Sequence, residues 1–206
     1  MKPRFITFEG GEGSGKTTQV KSLTEFLADL GLSVLKTREP GGSSGAEAIR
    51  RLLLGRGGWD PIAEMSLHFA ARREHWASSI VPCLLAGSWV VCDRFFDSTL
   101  AYQVAGQGAP RAAWEQLRAV TLGDVAPDLT FLLDLPVEIG LARAGRRGDV
   151  NRYEELGLAF HQRVRDSFLA TAAAEPSRFV VIDATLPLKA VTAALIAACR
   201  ARFQLS

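Results

Sequence analysis

Five short runs of β-branched, aromatic and leucine side chains punctuate the chain: Phe5 to Glu9, Ser33 to Thr37, Trp89 to Asp93, Leu129 to Leu135 and Phe179 to Asp183. Several are apolar almost without interruption, as expected of strands covered on both faces. Between them apolar residues recur every three or four positions, which predicts helices. These cover Lys16 to Leu30, Ala46 to Leu54, Ile62 to Leu85, Ala112 to Leu122, Val137 to Ala144, Tyr153 to Ala174 and Leu188 to Phe203. In the first of them Val20, Leu23, Leu27 and Leu30 share one face, and Gly31 follows as a stop. Strands alternating with helices predict an α/β fold, a doubly wound five-stranded parallel sheet with ligands outside the carboxyl ends of its strands. Four polar segments follow strand ends and should meet there: Gly10 to Lys16, Arg38 to Ser44, Arg94 to Gln103, and an arginine-rich stretch after residue 142.

Composition narrows this picture mainly by exclusion. A chain of 206 residues is long enough for one α/β domain burying about 70% of its unfolded surface, and no linker-like stretch divides it, so residues 1–206 are expected to form a single domain. The formal charge of +2 gives no general affinity for polyanions, so no nucleic-acid partner is expected. Cys83, Cys92 and Cys199 form neither a C-x-x-C pair nor a disulfide framework. His68, His75 and His161 make no H-E-x-x-H, which argues against a transition metal held by the protein. No apolar signal region follows Met1-Lys2-Pro3-Arg4, and no run approaches the roughly 18 apolar residues of a membrane span. A cytoplasmic, reduced location is the expectation.

The candidate chemistry begins where the first strand ends. Gly10, Gly11, Glu12, Gly13, Ser14, Gly15, Lys16 and Thr17, with Thr18 behind them, fit the phosphate-binding pattern G-x-x-x-x-G-K-[ST]. Strand, glycine loop and helix together aim backbone N–H groups and a helix N-terminus at one anion. Lys16 then reaches the β- and γ-phosphates of a nucleoside triphosphate, and the Thr17 hydroxyl is placed to ligate magnesium. Asp93 closes an apolar strand, the position of a magnesium-orienting carboxylate, and Arg94 beside it suits an acceptor phosphate. Arg38, fixed by the Pro40-Gly41 turn, suits a second phosphate contact. Phe69, Arg72 and Arg73 share a helix face; on spacing alone Phe69 reads either as a core residue or as a platform for a flat base. Arg143, Arg146, Arg147 and Arg152 lie in a segment containing Gly145 and Gly148, which suits a lid closing on polyphosphate over about 142–153.

These blocks, in this order and spacing, resemble the bacterial thymidylate kinases (dTMP kinases) essentially from end to end. The resemblance rests on Phe8-Glu9-Gly10 with the glycine loop, on Thr37-Arg38-Glu39-Pro40-Gly41-Gly42, on Phe69-Ala70-Ala71-Arg72, on Asp93-Arg94 through Ser98 to Ala101-Tyr102-Gln103, and on the arginine lid. It implies phosphorylation of dTMP by MgATP within a P-loop nucleotide kinase architecture, and a homodimer. It further implies that Arg38 and Arg94 grip the acceptor phosphate, that Phe69 stacks on thymine, and that Arg72 and Thr99 address the base edge with Ser98 close by. Tyr102 is implied to sit where a ribose 2′-hydroxyl would project, with Gln103 nearby, and Glu12 near the 3′-hydroxyl. The catalytic lid arginine is left open among Arg146, Arg147 and Arg152. Arg143 is implied to pack on adenine beside the turn that begins at Asp183. Other readings fit less well. A guanine-reading Asn-Lys-x-Asp is absent, a dinucleotide-binding G-x-G-x-x-G from Gly11 would need glycine at Lys16, and a deoxynucleoside acceptor leaves Arg38 and Arg94 without a phosphate to bind.

Overall fold

The computed structural model describes residues 2–55, 57–146, 153 and 156–205. Five parallel strands, β1 (Phe5–Glu9), β2 (Val34–Arg38), β3 (Trp89–Asp93), β4 (Leu129–Asp134) and β5 (Phe179–Asp183), form one sheet in the order β2-β3-β1-β4-β5. The near-continuous apolar runs are explained by what covers them. Ile6, Phe8, Trp89 and Val91 meet Val20, Leu23 and Leu27 of α1 (Lys16–Asp29) and Val191, Leu195 and Cys199 of α9 (Leu188–Phe203). The alternate positions Phe5, Val90 and Cys92 meet Met65 and Phe69 of α3 (Pro61–His75) and Trp114 of α6 (Arg111–Leu122). On the same side, Leu132 and Phe179 pack on Phe160, Val164 and Phe168 of α8 (Leu158–Ala174). The remaining helices are α2 (Ser44–Gly55), α4 (Val81–Leu85), α5 (Phe96–Thr99) and α7 (Val137–Gly145). No helix among the described residues is long and apolar enough to cross a membrane.

Three of the elements differ from those the sequence pattern predicts. The helix expected from Ile62 to Leu85 is continuous in path but passes through a π-helical turn at Trp76–Ile80, which joins α3 to α4. The segment from Arg94 to Gln103, expected as a polar loop, is largely helical: α5 runs directly into a second π-helical segment, Leu100–Gly106. Most of its side chains are buried by apolar packing, and Arg178, just before β5, holds Asp97 with two hydrogen bonds, at 2.7 and 3.0 Å. The helix expected from Tyr153 instead begins at Leu158, after Gly157 in extended conformation (φ −60°, ψ 163°), and Tyr153 lies in a turn. The other boundaries shift by one or two residues.

β1 lies centrally, with β3 and β4 as its neighbours. The segments leaving β1, β2 and β3 therefore open side by side at the carboxyl edge of the sheet, where such sheets bind ligands.

Candidate active site

Gly10, Gly13 and Gly15 adopt φ values of 140°, 67° and 87°. A side chain at Gly10 would place Cβ 2.5 Å from the Leu133 carbonyl oxygen, and one at Gly13 would run into the carbonyl oxygen of Gly140 in α7. Glycine at these two positions is thus demanded by conformation and by close backbone approach. The loop bends round the Lys16 ammonium, which donates to the carbonyl oxygens of Gly10 (2.9 Å) and Gly11 (2.8 Å) and to Ser14 Oγ (3.1 Å). Burial, followed by the nearby Arg94 cation, lowers the Lys16 pKa to about 8, with Asp93, Glu12 and Glu9 acting in the opposite direction. Gly13 to Thr18 line one cavity together with Glu12, Asp93 and Arg94.

β3 delivers the facing wall. The Thr17 hydroxyl donates to Asp93 Oδ2 at 2.9 Å, so the residues expected at magnesium are brought together. No group of three or more His, Cys, Asp or Glu side chains arranged to hold a metal exists among the described residues. One hydroxyl and one carboxylate nonetheless suit magnesium, which keeps most of its waters and takes its other ligands from phosphates.

Arg94 is held at φ 72°, a left-handed conformation uncommon for a residue with a side chain. Its flanking amides over-determine it: Arg94 N–H donates to the Phe8 carbonyl (2.9 Å) and Phe95 N–H to Glu9 Oε1 (2.7 Å). The other Glu9 oxygen accepts from the Ser98 hydroxyl. The Arg94 guanidinium then contacts Gly10 O (3.1 Å), Ser98 Oγ (3.0 Å), Glu12 Oε1 (3.1 Å) and the Tyr102 hydroxyl (3.0 Å). Tyr102 in turn donates to Glu12 at 2.9 Å. Burial and Asp97 push the Glu9 pKa up to about 8, against the pull of Arg94. Glu12 moves the other way: Arg94, Lys16 and the Tyr102 hydroxyl outweigh its burial and hold its carboxyl below the usual range.

A second cleft, of about 220 Å3, opens beside the first and is lined by Arg38, Arg72, Arg94, Ser98, Thr99, Tyr102 and Gln103. All of these belong to the expected acceptor set. Arg38 is half-exposed, with its guanidinium 3.0 Å from Glu47 and 3.2 Å from the Pro40 carbonyl. Arg72 is almost fully buried and donates to Glu39 (2.7 Å), Thr99 Oγ1 (3.0 Å) and the Phe95 carbonyl (3.0 Å). Phe69 does not line this cleft. It is fully buried beside Trp114, with the Arg72 guanidinium 4.9 Å from its ring centroid.

Several lining or supporting residues escape sequence reasoning. Arg50 of α2 lines the cleft and donates to the Pro40 carbonyl at 2.8 Å; its place on an amphipathic helix gives no sign of this. Glu39 braces Arg72 and also meets His75, which reaches Thr37 on its other ring nitrogen. Both lie in quoted motifs, but their pairing is tertiary. His68 and Tyr153 also line the cleft, and the buried Glu64 accepts hydrogen bonds from Gln103 and Tyr153.

On the opposite side of the glycine loop, Arg143 of α7 donates to the Ala184 carbonyl at 2.8 Å. This places it beside the turn in which Asp183 Oδ1 accepts from the Thr185 amide and hydroxyl. Arg146 is exposed at the end of α7. Arg147 and Arg152 lie outside the described residues.

The comparisons with known proteins agree with one another. Residues 8–195 match the family model described as thymidylate kinase. The chain is 52% identical to the thymidylate kinase of Caulobacter vibrioides over 193 residues, covering 93% of each chain. It is 49% identical to that of Magnetococcus marinus over 209 residues, covering both chains completely. Among solved structures it resembles the thymidylate kinase of Ehrlichia chaffeensis, with a TM-score of 0.79 and 37% identity, covering 97% of this chain and 99% of the other.

Proposed function

This chain belongs to the thymidylate kinase family and phosphorylates dTMP to dTDP with ATP as donor; from that premise we propose that donor and acceptor phosphates meet at a wall formed by Glu12, Thr17, Asp93 and Arg94. The observation that carries this reading is that these four residues line both the glycine-loop cavity and the arginine-lined cleft. A shared wall brings the two bound anions next to each other, and holding them in line there would supply much of the acceleration. The dTMP phosphate arrives as an anion, so no general base is needed.

The backbone amides from Gly10 to Thr18 cradle the triphosphate, and Lys16 exchanges the loop carbonyls it now contacts for phosphate oxygens. Arg94 and Arg38, joined by Arg50, take the acceptor phosphate, with Arg94 pre-aimed by its backbone. Thr17 and Asp93 would hold magnesium, which would supply charge neutralisation for the transferring phosphoryl. Tyr102, held against Glu12 and Arg94, faces the sugar. Arg72 and Thr99 address the base edge, with Phe69 beneath the Arg72 guanidinium. Arg143 and the turn at Asp183 border adenine. Arg146, with Arg147 and Arg152 beyond the described residues, brings positive charge to the transferring phosphoryl as the lid closes.

We further propose that the whole chain acts as one P-loop kinase domain, in the cytoplasm, as a homodimer. The dimer reading is supported by Leu52 of α2, Ile62 of α3 and Val120 of α6, apolar side chains exposed on α3 and on the two helices that pack against it.

The test is an ADP-release assay across dTMP, dUMP, UMP, CMP and thymidine. dTMP is expected to lead, and thymidine, which brings no phosphate to Arg38 and Arg94, to be turned over negligibly. Comparable kcat/KM for thymidine would overturn the assignment of the arginine-lined cleft.

A further inference from the structure

Arg178 lies just before β5 and lines neither cleft, yet its side chain is buried and strongly engaged. Its guanidinium donates twice to the buried Asp97 of α5, at 2.7 and 3.0 Å, once to Thr130 Oγ1 of β4 at 3.0 Å and once to Glu175 at 2.9 Å. Asp97 is followed directly by Ser98 and Thr99, which do line the acceptor cleft. We propose that Arg178 is a positioning residue: by clamping Asp97 it fixes the turn of α5 that holds the acceptor arginines Arg94 and Arg72 in their binding geometry.

The Ser98 hydroxyl accepts from the Arg94 guanidinium at 3.0 Å and donates to Glu9. The Thr99 hydroxyl accepts from the Arg72 guanidinium at 3.0 Å. Both arginines thus rest on one short turn, since α5 spans only Phe96 to Thr99. So short a helix takes its orientation from tertiary contacts. Phe96 buries the turn in the apolar core, but apolar contact is non-directional and leaves the turn free to rotate. A bidentate arginine–carboxylate pair adds direction. Stability alone does not call for the pair, because desolvating two charges offsets their attraction and apolar residues of similar volume often serve as well. The guanidinium is itself seated on the sheet. Its ring neighbours are Phe179 and Phe96, at 4.4 and 5.2 Å from their centroids, and Thr130 Oγ1 lies 2.8 Å from Thr7 Oγ1 of β1. β1 also carries the glycine loop, so the clamp ties the acceptor arginines to the same frame as the donor site.

This inference rests on the acceptor reading of the cleft, and the experiment separates the two. kcat and KM for dTMP and for ATP are measured in the unmodified enzyme, in Arg178→Lys, in Arg178→Met and in the double variant Asp97→Asn with Arg178→Met. Each is assayed at a temperature at which thermal unfolding shows it folded. Arg178→Lys keeps the charge but not the fork, and should lower kcat/KM for dTMP a few-fold while KM for ATP holds. Arg178→Met should lower it by roughly tenfold to a hundredfold, the scale on which a remote change misplaces a binding group. The double variant removes the unpaired buried carboxylate, so it decides the matter if Arg178→Met folds poorly: it should regain stability without regaining kcat/KM for dTMP. Unchanged kcat/KM for dTMP in Arg178→Lys and in the double variant, whatever their unfolding temperatures, overturns the proposal and leaves Arg178 a structural residue. An equal rise in both KM values overturns it as well. Arg94→Lys is the control: an unchanged KM for dTMP there would bring down the cleft reading and this inference with it, whereas a raised KM beside normal Arg178 variants rejects this inference alone.

Discussion

At the residue scale the site is built from groups whose charges depend on one another. Lys16 is folded against the carbonyls of its own loop, where burial costs it proton affinity. Its contribution is therefore made when phosphate arrives. Lys16→Ala should lower kcat by roughly a hundredfold or more, the scale of losing one preorganised charge contact, with little change in KM for dTMP or in thermal stability. Steady-state kinetics in both substrates check this, and a near-normal kcat would contradict it. Glu9 allows a test of pH dependence. Its pKa is raised from 4.5 to about 8, so between those values the folded state holds a proton that the unfolded state has released. The stabilisation from this group is complete below about 4.5 and lost as pH climbs through about 8, with a slope of at most about 1.4 kcal/mol per pH unit. Glu9→Gln removes the titration, so its stability, measured by denaturant unfolding, should fall less than that of the unmodified chain from pH 5 to pH 8. Parallel curves would show that Glu9 is not protonated in the fold.

The elements have separate duties. β1, β3 and the helices on both faces form the fixed part: Arg94 is held by β1 through Phe8 and Glu9, and α5 by β5 through the Asp97–Arg178 ion pair. Of the proposed lid, the described part has Arg143 docked on Ala184 and Arg146 exposed. Single alanine changes at Arg146, Arg147 and Arg152 should therefore differ in effect. An arginine that meets the transferring phosphoryl only on closure is expected to cost about 10³–10⁵ in kcat, by analogy with arginine fingers, and solvated neighbours no more than a few-fold. Three equally mild variants in single-turnover measurements would argue against a catalytic lid arginine. The helical run from Phe96 to Gly106 is the element that the sequence pattern misses. Its cleft-lining residues Ser98, Thr99, Tyr102 and Gln103 are polar, and they obscure an apolar face, Phe96, Leu100 and Ala101, that packs inward.

On the scale of the whole molecule, α2, α3 and α6 leave the apolar side chains Leu52, Ile62 and Val120 exposed. Val120, at 85% exposure, is the most open of them. Val120→Asp should convert a dimer to monomer in sedimentation experiments while leaving the fold intact, because an exposed side chain contributes little to the core; a monomeric unmodified protein would refute the dimer. The sequence by itself determined the parallel α/β sheet, since strands covered on two faces must be apolar throughout, and it determined the glycine loop, since glycine is required where φ is positive or backbones touch. The same local logic marked Lys16, Thr17, Arg38, Asp93 and Arg94, which the fold brings to one edge of the sheet. Tertiary structure alone decided which groups answer one another. Phe69 illustrates this: helical spacing allows a stacking platform or a core residue, and only the packing of Trp114 and the Arg72 guanidinium buries its ring completely. Arg50, Glu39 and Glu64 likewise acquire their roles from partners 10, 33 and 39 residues away in the chain. Periodicity records which way a side chain faces, and the identity of the group it meets is fixed only once the sheet has set distant segments side by side.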